Sequence, residues 1–346
     1  MLPPPTVAEP SFAEQSRRPI HILDPEARIH LAGGLLSIER PGKEPLRLRL
    51  PEIGSLSIHG RASLSTPCLH ALLAEGIPIL WRSAGGYLLG HTLGLGGRGA
   101  AARRAQYGAA GSALGLEIAR RLVGGKLANM RALLRRRGPD PRIEAAGRAI
   151  GALAPRLAGS AALPALLGLE GAATAAYFAS WPAMLRTPAM ARHFTGRNRR
   201  PPRDPVNAAL SYAYAVLTGE CAAAVVATGL DPTDGFLHAA VPGRPALALD
   251  LMEPFRPLIA DSAVLFALNT EAVTEADFAA ETDGWRLSER GRKLLLETLW
   301  RRLEQRFVAG DGRETSYREA IGALAQGVAH ALATGTAAEL AVPTRR

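Results

Sequence analysis

The strongest constraint on the fold is a change in the spacing of apolar residues near residue 95. Before it, short apolar segments at 28–31, 35–40, 46–50 and 53–58 alternate with turns that contain Gly and Pro, a pattern that predicts β-strands. After residue 100, apolar residues recur every three or four positions, which predicts helices. We therefore predict an α+β protein: a small β-rich, sandwich-like N-terminal domain followed by a larger all-α-helical domain.

The same pattern sets the predicted domain limits. Residues 1–19 are Pro-rich and without periodicity, which is typical of a disordered lead or linker. Residues 20–95 form the β-rich domain, the Gly-rich run 96–99 a hinge, and residues 100–335 the helical domain, with a loose tail at 336–346. Within the β-rich domain, one helix is expected to begin with Thr66 as its cap and to end at Gly76.

The charge balance favours a polyanionic partner. The 346 residues include 41 Lys and Arg against 31 Asp and Glu, a formal net charge of +10. Codon bias explains the preference for Arg over Lys, but it does not explain the excess of positive charge, so we expect nucleic acid before a membrane as partner. The two cysteines form neither a disulfide framework nor a zinc motif, and no secretory signal or membrane span is recognisable, so we expect a cytoplasmic protein.

One predicted helix, over residues 113–137, has a basic face. Apolar residues lie on one side of this helix, and the other side carries Arg120, Arg131 and Arg135. A charged helix face is often only solvated, so DNA contact and plain solvation both remain open for these arginines.

The irregular stretch 191–203 is the second basic segment. It combines five arginines with an aromatic residue, Phe194, and two prolines. This combination favours a nucleic-acid clamp over a solvated turn. The arginines are Arg192, Arg197, Arg199, Arg200 and Arg203.

The stretch 231–261 has the composition of a reactive site. Asp250 and Glu253 are three residues apart at the start of a predicted helix, so they share one face among apolar neighbours. Carboxylates in such surroundings need compensation, and a divalent cation is one candidate. His238 lies in the turn-rich first half of the stretch and can fold back over this face as a nitrogen ligand.

Another carboxylate, Glu170, is the only charged residue in the helix predicted over 163–181. It either points to solvent or needs a partner. Two carboxylates and an imidazole, from Glu170, Glu253 and His238, suit Mg²⁺ or Mn²⁺, which can activate a hydroxyl and stabilise charge on a phosphate. On this pattern alone, His238 is a structural residue about as readily as a ligand.

The chain resembles a known family in three ordered phrases: GLEGAATAAYF (168–178), DPVNAALSYAYAVL (204–217) and GFLHAAVPGRPALALDLMEPFRPLIAD (235–261). The family is the CRISPR-associated integrase/endonuclease of the spacer-acquisition module. In it, a glutamate of the first phrase, a histidine of the third and an acidic residue after Asp-Leu bind the catalytic metal. The resemblance therefore implies Glu170, His238 and Glu253 as catalytic metal ligands.

The resemblance also implies a reaction and partners. Family members dimerise through the β-rich domain, and two dimers bridge a small ferredoxin-like partner dimer along a short double-stranded DNA. Each active site directs the 3′-hydroxyl of a spacer precursor onto a phosphodiester at the repeat border, with hydrolysis of branched DNA as a side activity. Some relatives carry a fused exonuclease domain in front, so the lead 1–19 is interpretable as the remnant of a linker.

Several residues near the three phrases are candidates for supporting roles. Arg244 and Arg256 lie close in sequence to the ligands and are candidates to stabilise charge at the leaving oxygen. His238 is a candidate general acid or base as well as a ligand. The candidates to position the ligands or the phosphate are Tyr177, Asn207, Ser211 and the auxiliary carboxylate Asp250.

Two other functions stay open from the sequence. One is a stand-alone, structure-selective DNA endonuclease of repair or transposition on the same scaffold. The other is a non-enzymatic DNA-bridging protein in which Glu170 and His238 only complete a polar network. Neighbouring genes or tandem repeats beside the gene would distinguish the stand-alone endonuclease from the integrase. Titration with Mn²⁺ would distinguish the bridging protein from both enzymes.

Overall fold

The computed structural model describes residues 18–84, 86–94, 99–198, 201–282, 284–309 and 312–345. The predicted lead 1–19 lies outside this part of the chain except for its last two residues, and so does the predicted hinge 96–99 except for Gly99. The chain divides into two compact units. The first comprises the described part of Met1–Ala105 with Ala223–Asp231, and the second comprises that of Gln106–Ala222 with Pro232–Arg346.

The first unit is built from two sheets, one complete helix and parts of two helices that continue in the second unit. Its strands are β1 (Arg18–Ile22), β2 (Arg28–Ala32), β3 (Leu35–Arg40), β4 (Lys43–Leu48), β5 (Ile53–His59), β6 (Ser63–Leu64), β7 (Ile79–Arg82) and β8 (Leu88–Thr92), with helix α1 (Thr66–Ala74) after β6. One sheet has the order β1-β5-β7-β8, parallel except for the β7–β8 pair. The other has the order β4-β3-β2-β6, antiparallel except for the β2–β6 pair.

Both sheets contribute to one apolar core in the first unit. Ile29 and Leu36 of one sheet, Leu56 and Ile79 of the other, and Leu72 of α1 belong to the same buried cluster. This shared core makes the unit sandwich-like, because each sheet buries one face against the other elements. The helix begins one residue earlier than expected, with Ser65 at the N-cap instead of Thr66.

The second unit is mainly helical. Helix α2 (Gly99–Ala109) begins in the first unit and ends in the second. The helices that follow are α3 (Ala113–Arg135), α4 (Pro141–Leu153), α5 (Leu163–Ala179), α6 (Trp181–Met184), α7 (Pro188–His193), α8 (Pro205–Ala227), α9 (Ala246–Met252), α10 (Ser262–Asn269), α11 (Glu289–Glu304) and α12 (Tyr317–Thr334). Strands early in the chain and helices later confirm the predicted α+β class.

Two small hairpins interrupt the helical unit. They pair β9 (Phe278–Glu281) with β10 (Gly284–Leu287), and β11 (Arg306–Val308) with β12 (Glu314–Ser316). The sequence predicted an all-helical unit, and these two hairpins are the exception to that prediction. These strands are three or four residues long, too short for periodicity to distinguish them from loops.

The prolines after Asp250 shape the end of α9. Pro254 has no N–H to donate to the Asp250 carbonyl, which instead accepts a hydrogen bond from Glu253 N at 3.1 Å. The α-helix ends at Met252, and a π-helical turn follows over Arg256–Asp261. Glu253 thus lies at a break between two helical segments, where π-turns often mark functional sites.

Helix α8 forms part of the core. It is long and apolar enough to cross a membrane, but 72% of its most apolar window is buried inside the protein. Its first turn is capped by Asp204, whose Oδ1 accepts from Asn207 N at 2.8 Å.

The C-terminal tail, predicted to be loose, packs on the second unit. Ala337 and Leu340 are buried. The side-chain amide of Asn129 in α3 donates to the carbonyl oxygens of Pro254 and Pro343, both at 2.9 Å, and its oxygen accepts from Arg345 N at 3.0 Å. Gly125 lets the tail approach α3, since a Cβ there would meet Val342 Cγ1 at 2.3 Å.

Candidate active site

Four segments of the second unit meet around a buried ion-pair cluster. Helix α5 contributes Glu170, helix α3 contributes Lys126, and Glu253 is the residue after the last turn of α9. His238 comes from the loop that precedes α9. The cluster therefore joins residues more than a hundred positions apart, and only the tertiary fold brings them together.

The Asp250 carboxylate fixes the loop that carries His238. It is fully buried, and its Oδ2 accepts from the backbone N–H groups of Phe236 at 2.5 Å and Leu237 at 2.8 Å. Its Oδ1 accepts from His238 N at 2.9 Å. The loop approaches so closely that a Cβ on Gly235 would meet Asp250 Oδ2 at 2.6 Å. Only glycine fits at position 235 without a shift of this loop.

The same carboxylate orients the imidazole of His238. Nδ1 lies 2.7 Å from Asp250 Oδ1. A carboxylate can only accept, so Nδ1 carries the proton and Nε2 presents a lone pair. Nε2 lies 3.8 Å from Glu253 Oε1. A carboxylate that holds the far nitrogen of a histidine in this way is typical of the support behind a metal-binding imidazole.

Lys126 bridges the two glutamates. Its ammonium lies 2.6 Å from Glu253 Oε2 and is paired with Glu170 Oε1. The Lys126 and Glu253 side chains are each only 3% exposed, whereas Glu170 is partly open to solvent. Thr174, one turn along α5, donates its hydroxyl to Glu170 Oε1 at 2.8 Å. The carboxylates of Glu170 and Glu253 are therefore held on opposite sides of one positive charge.

Positive neighbours keep Glu253 ionised. Burial raises the pKa of this carboxyl, but the charges of Arg256 and Lys126, with that of His238 when its imidazole is protonated, outweigh that effect and hold the pKa at about 2. The Arg256 guanidinium lies 3.1 Å from Glu253 Oε1. It also stacks 4.8 Å from the centre of the Tyr214 ring, so it is fixed from two sides.

A third buried carboxylate, Asp261, interacts electrostatically with Arg256. Its oxygens accept from the hydroxyls of Tyr177 at 2.9 Å and Tyr214 at 2.6 Å. Burial raises the pKa of Asp261 to about 6, although the two tyrosine hydroxyls and Arg256 oppose the shift. Burial and the Asp261 charge raise the pKa values of both tyrosines well above the usual range. The tyrosines therefore act as neutral hydrogen-bond donors.

Comparison with known proteins identifies the family. The sequence profile described as CRISPR associated protein Cas1 matches residues 20–301. The chain belongs to the Cas1 family. A CRISPR-associated exonuclease Cas4/endonuclease Cas1 fusion of Geobacter sulfurreducens is 42% identical over 83% of this chain. A CRISPR-associated endonuclease Cas1 of Thermus thermophilus is 38% identical over 88% of this chain and 91% of its own length.

The chain covers only about half of the fusion relatives: 53% of the Geobacter protein and 52% of a similar fusion from Rhodospirillum rubrum. Solved structures share its fold at low sequence identity. A Cas1 protein from Thermotoga maritima superposes with a TM-score of 0.76 at 20% identity, over 95% of this chain and all of that one. A casposase bound to integration product gives 0.72 at 23% identity, over 92% and 91%.

Two of the auxiliary candidates hold the basic loop of this Cas1-family chain. Asn207 Oδ1 accepts from Arg197 at 2.6 Å and from Asn198 N at 3.1 Å, and Ser211 Oγ accepts from Arg197 at 3.3 Å. The Arg197 guanidinium also lies 5.4 Å from the centre of the Tyr214 ring. Arg197 therefore points inward to α8. Arg192, which lies in the last turn of α7, and Arg203 are exposed. Arg199 and Arg200 lie outside the described residues.

Phe194 was predicted to be the aromatic residue of a nucleic-acid clamp, and the structure corrects this. Its side chain is 2% exposed. The ring packs 5.6 Å from the Trp181 ring and 6.3 Å from the Phe178 ring, measured between centroids. A ring enclosed in this aromatic cluster belongs to the core and is not available to stack on a base.

The predicted basic face of α3 is divided. Arg120 is paired with Glu117 and donates to the Ser160 carbonyl at 2.8 Å, so it is engaged within the protein. Arg131 and Arg135 are exposed. Arg244 is exposed in the turn before α9, and in the described part of the chain no hydrogen bond or ion pair joins its side chain to the Glu253 cluster.

The donor set suits a divalent cation. At metal–ligand bonds of about 2.1 Å, neighbouring and opposite ligands lie about 3.0 and 4.2 Å apart, and the 3.8 Å between His238 Nε2 and Glu253 Oε1 falls within this range. The Lys126 ammonium already pairs with both Glu170 and Glu253. Among the described residues, however, no group of three or more His, Cys, Asp or Glu side chains is arranged to hold a metal ion, and Lys126 pairs with two of the predicted ligands.

Sequence reasoning missed Lys126, Asp261 and Tyr214 as parts of the site. A signal for Lys126 was available, because it lies one turn from Leu122, Val123 and Met130 on the apolar side of α3. A lysine on a buried helix face needs an acidic partner. Asp261 carried a similar signal, since it ends an apolar run after Arg256.

Proposed function

We propose that this Cas1-family chain is a metal-dependent DNA integrase and endonuclease. The proposed reaction is attack of the 3′-hydroxyl of spacer DNA on a phosphodiester of the repeat in a CRISPR array, with hydrolysis as a side activity. The observation that carries the proposal is the position of Glu253, whose Oε1 lies 3.8 Å from His238 Nε2 and whose Oε2 pairs with Lys126, which also pairs with Glu170.

Glu170, His238 and Glu253 would hold Mg²⁺ or Mn²⁺. Such a cation, when bound, lowers the pKa of an attacking hydroxyl and stabilises charge on the phosphate. Asp250 holds His238 in the tautomer that offers Nε2. Because Nδ1 is committed to Asp250, Nε2 is the one nitrogen of His238 left for the reaction, and we assign it to the metal in preference to proton transfer.

Arg256 would interact with the phosphate. Its guanidinium is fixed by Glu253 and the Tyr214 ring but remains partly exposed. A positive charge so placed, next to the proposed metal, can stabilise the negative charge that develops on the leaving oxygen. Asp261 and the two tyrosines bonded to it support this arginine.

The proposed partners follow the family. Solved structures with the same fold include a Cas6-RT-Cas1–Cas2 complex, with a TM-score of 0.78 at 23% identity, over 94% of this chain and 36% of that one. We propose double-stranded DNA, a second copy of the chain, a small ferredoxin-like partner dimer and an exonuclease, fused or separate, in the cytoplasm. The net charge of +10 suits a DNA partner.

Half-site integration tests the proposal. Supercoiled plasmid that carries a CRISPR repeat is incubated with spacer DNA, the protein, its small partner and Mg²⁺ or Mn²⁺. Glu170→Ala, His238→Ala and Glu253→Ala should each abolish strand transfer while DNA retention stays close to wild type. The matched control is Glu144→Ala, an exposed glutamate of α4, which should keep full activity. Full activity in any of the three site variants would remove that residue from the ligand set.

The casposase neighbour favours a second candidate, a stand-alone enzyme of transposition or repair. The same assay without the small partner and without repeat sequence separates the two functions. Efficient, repeat-independent strand transfer or cleavage by the chain alone would favour the second candidate. If strand transfer requires both the small partner and the repeat sequence, the result favours spacer integration.

A further inference from the structure

Lys126 is not explained by the proposed reaction. It is one of three lysines in a chain rich in arginine, and its side chain is almost completely buried. A buried ammonium is costly unless oppositely charged groups compensate it. Two carboxylates from separate elements, Glu170 of α5 and Glu253 beside α9, supply that compensation.

The two glutamates depend on this ammonium as well. Both carboxylates lie within ion-pair distance of one nitrogen, and without a cation between them their charges would repel at short range. Of these two carboxylates, Arg256 contacts that of Glu253 alone, and Thr174 contacts that of Glu170 alone. In the described part of the chain, Lys126 is the one side chain that contacts both carboxylates.

We propose that Lys126 is the internal counter-cation of this site: it holds Glu170 and Glu253 together before a divalent cation binds, and it competes with that cation for them. This inference rests on the proposed metal-dependent function. The proposed metal uses the same two carboxylates, and a second positive charge within a few ångströms opposes it. Lys126 thereby limits how tightly the site binds its metal.

The competition has two consequences with opposite signs. Removal of the ammonium leaves two buried carboxylates without their shared partner, so the protein without divalent cation becomes less stable. The same removal makes the site more negative and takes away the competitor, so a divalent cation binds more tightly. A lysine with a purely structural role would give the first effect without the second.

The experiment compares Lys126→Met with wild type after treatment with EDTA and gel filtration. The melting temperature should fall by on the order of 5–10 °C. Calorimetric titration with Mn²⁺ should show a dissociation constant lower by on the order of tenfold, and saturating Mn²⁺ should raise the melting temperature more than in wild type. Lys293→Met is the matched control, because Lys293 is exposed on α11, and it should match wild type in both measurements.

Each outcome decides the inference. Mn²⁺ affinity of Lys126→Met that is equal to or weaker than wild type overturns the competition. If Lys126→Met does not fold in EDTA, Lys126→Gln is measured in the same way, because its amide can donate to both carboxylates without a charge. Failure of the proposed metal-dependent function would give a different result from failure of the role of Lys126. In that case the wild-type protein binds no Mn²⁺, or His238→Ala leaves the Mn²⁺ affinity unchanged.

Discussion

Substitution of Asp250 by asparagine tests how this site is built. The carboxylate accepts four hydrogen bonds, three from the backbone of residues 236–238 and one from His238 Nδ1. In Asp250→Asn, one oxygen becomes an NH₂ group that donates. If the NH₂ group replaces Oδ2, the backbone N–H groups of Phe236 and Leu237 lose their acceptor; if it replaces Oδ1, the backbone N–H of His238 loses its acceptor, while the imidazole can change tautomer and accept from the new amide.

The structure gives the size of the effect. Each buried donor without an acceptor costs about 1–3 kcal/mol, so the loss of one or two acceptors costs about 1–6 kcal/mol. In a unit of this size, about 2–4 °C of melting temperature corresponds to 1 kcal/mol, so the melting temperature should fall by roughly 2–20 °C. The His238 ring should also lose its fixed tautomer, because its acceptor is removed or replaced.

Urea unfolding followed by far-UV circular dichroism measures the free energy, and ¹⁵N NMR of the imidazole reports the tautomer. The matched control is Asp140→Asn. Asp140 caps α4 by accepting from Arg142 N at 2.8 Å, but it is partly exposed, and asparagine caps helices as well as aspartate does. The control should lie within about 0.5 kcal/mol of wild type. The reasoning is refuted if Asp250→Asn is as stable as Asp140→Asn and keeps the same imidazole spectrum.

Three further predictions concern other parts of the second unit. The pKa of Asp261 is raised to about 6 from a usual value of 3.8. Between these two pH values the native state keeps a proton on Asp261 that the unfolded state has lost, so the free energy of unfolding falls as pH rises from about 4 to about 6. Between pH 4 and pH 7, Asp261→Asn should therefore gain up to about 3 kcal/mol relative to wild type in urea unfolding, and a constant difference would contradict this. Asn129→Ala removes the three hydrogen bonds that join Asn129 of α3 to Pro254, Pro343 and Arg345. It should lower the free energy of unfolding by about 2–4 kcal/mol and speed hydrogen exchange in the tail. Unchanged exchange would show that other contacts hold the tail. Arg192→Ala with Arg203→Ala should weaken DNA binding on all sequences and reduce the slope of log K against log salt by about two, whereas an unchanged slope would exclude phosphate contacts there.

The acidic and imidazole groups of the site were accessible from the sequence because they lie in distinctive surroundings. Asp250 and Glu253 stand among apolar residues at helical spacing, and Glu170 is the one charge of its helix. Charged residues in apolar surroundings point to compensation in the fold. Local patterns of this kind cannot name the partner, however. Lys126 comes from a helix far from the acidic residues in the sequence, and the contacts of Asp261 with Tyr177 and Tyr214 depend on how the helices pack.

The differences in the fold have the same origin. Phe194 looked available because its sequence neighbours are basic, but its environment is set by Phe178 and Trp181 of other helices. The tail after residue 335 has no periodicity, yet it is fixed by Asn129 of α3, more than two hundred residues earlier. Periodicity reports which face of a segment is apolar, and it does not report what covers that face.

The central claim is that Glu170, His238 and Glu253 share one divalent cation. Anomalous diffraction from crystals grown with Mn²⁺ tests it most directly. The account predicts one strong anomalous peak bonded to His238 Nε2 and to one oxygen each of Glu170 and Glu253, with the Lys126 ammonium displaced from at least one carboxylate. A Mn²⁺ peak that excludes His238, or crystals at saturating Mn²⁺ with no peak beside Glu253, would contradict it.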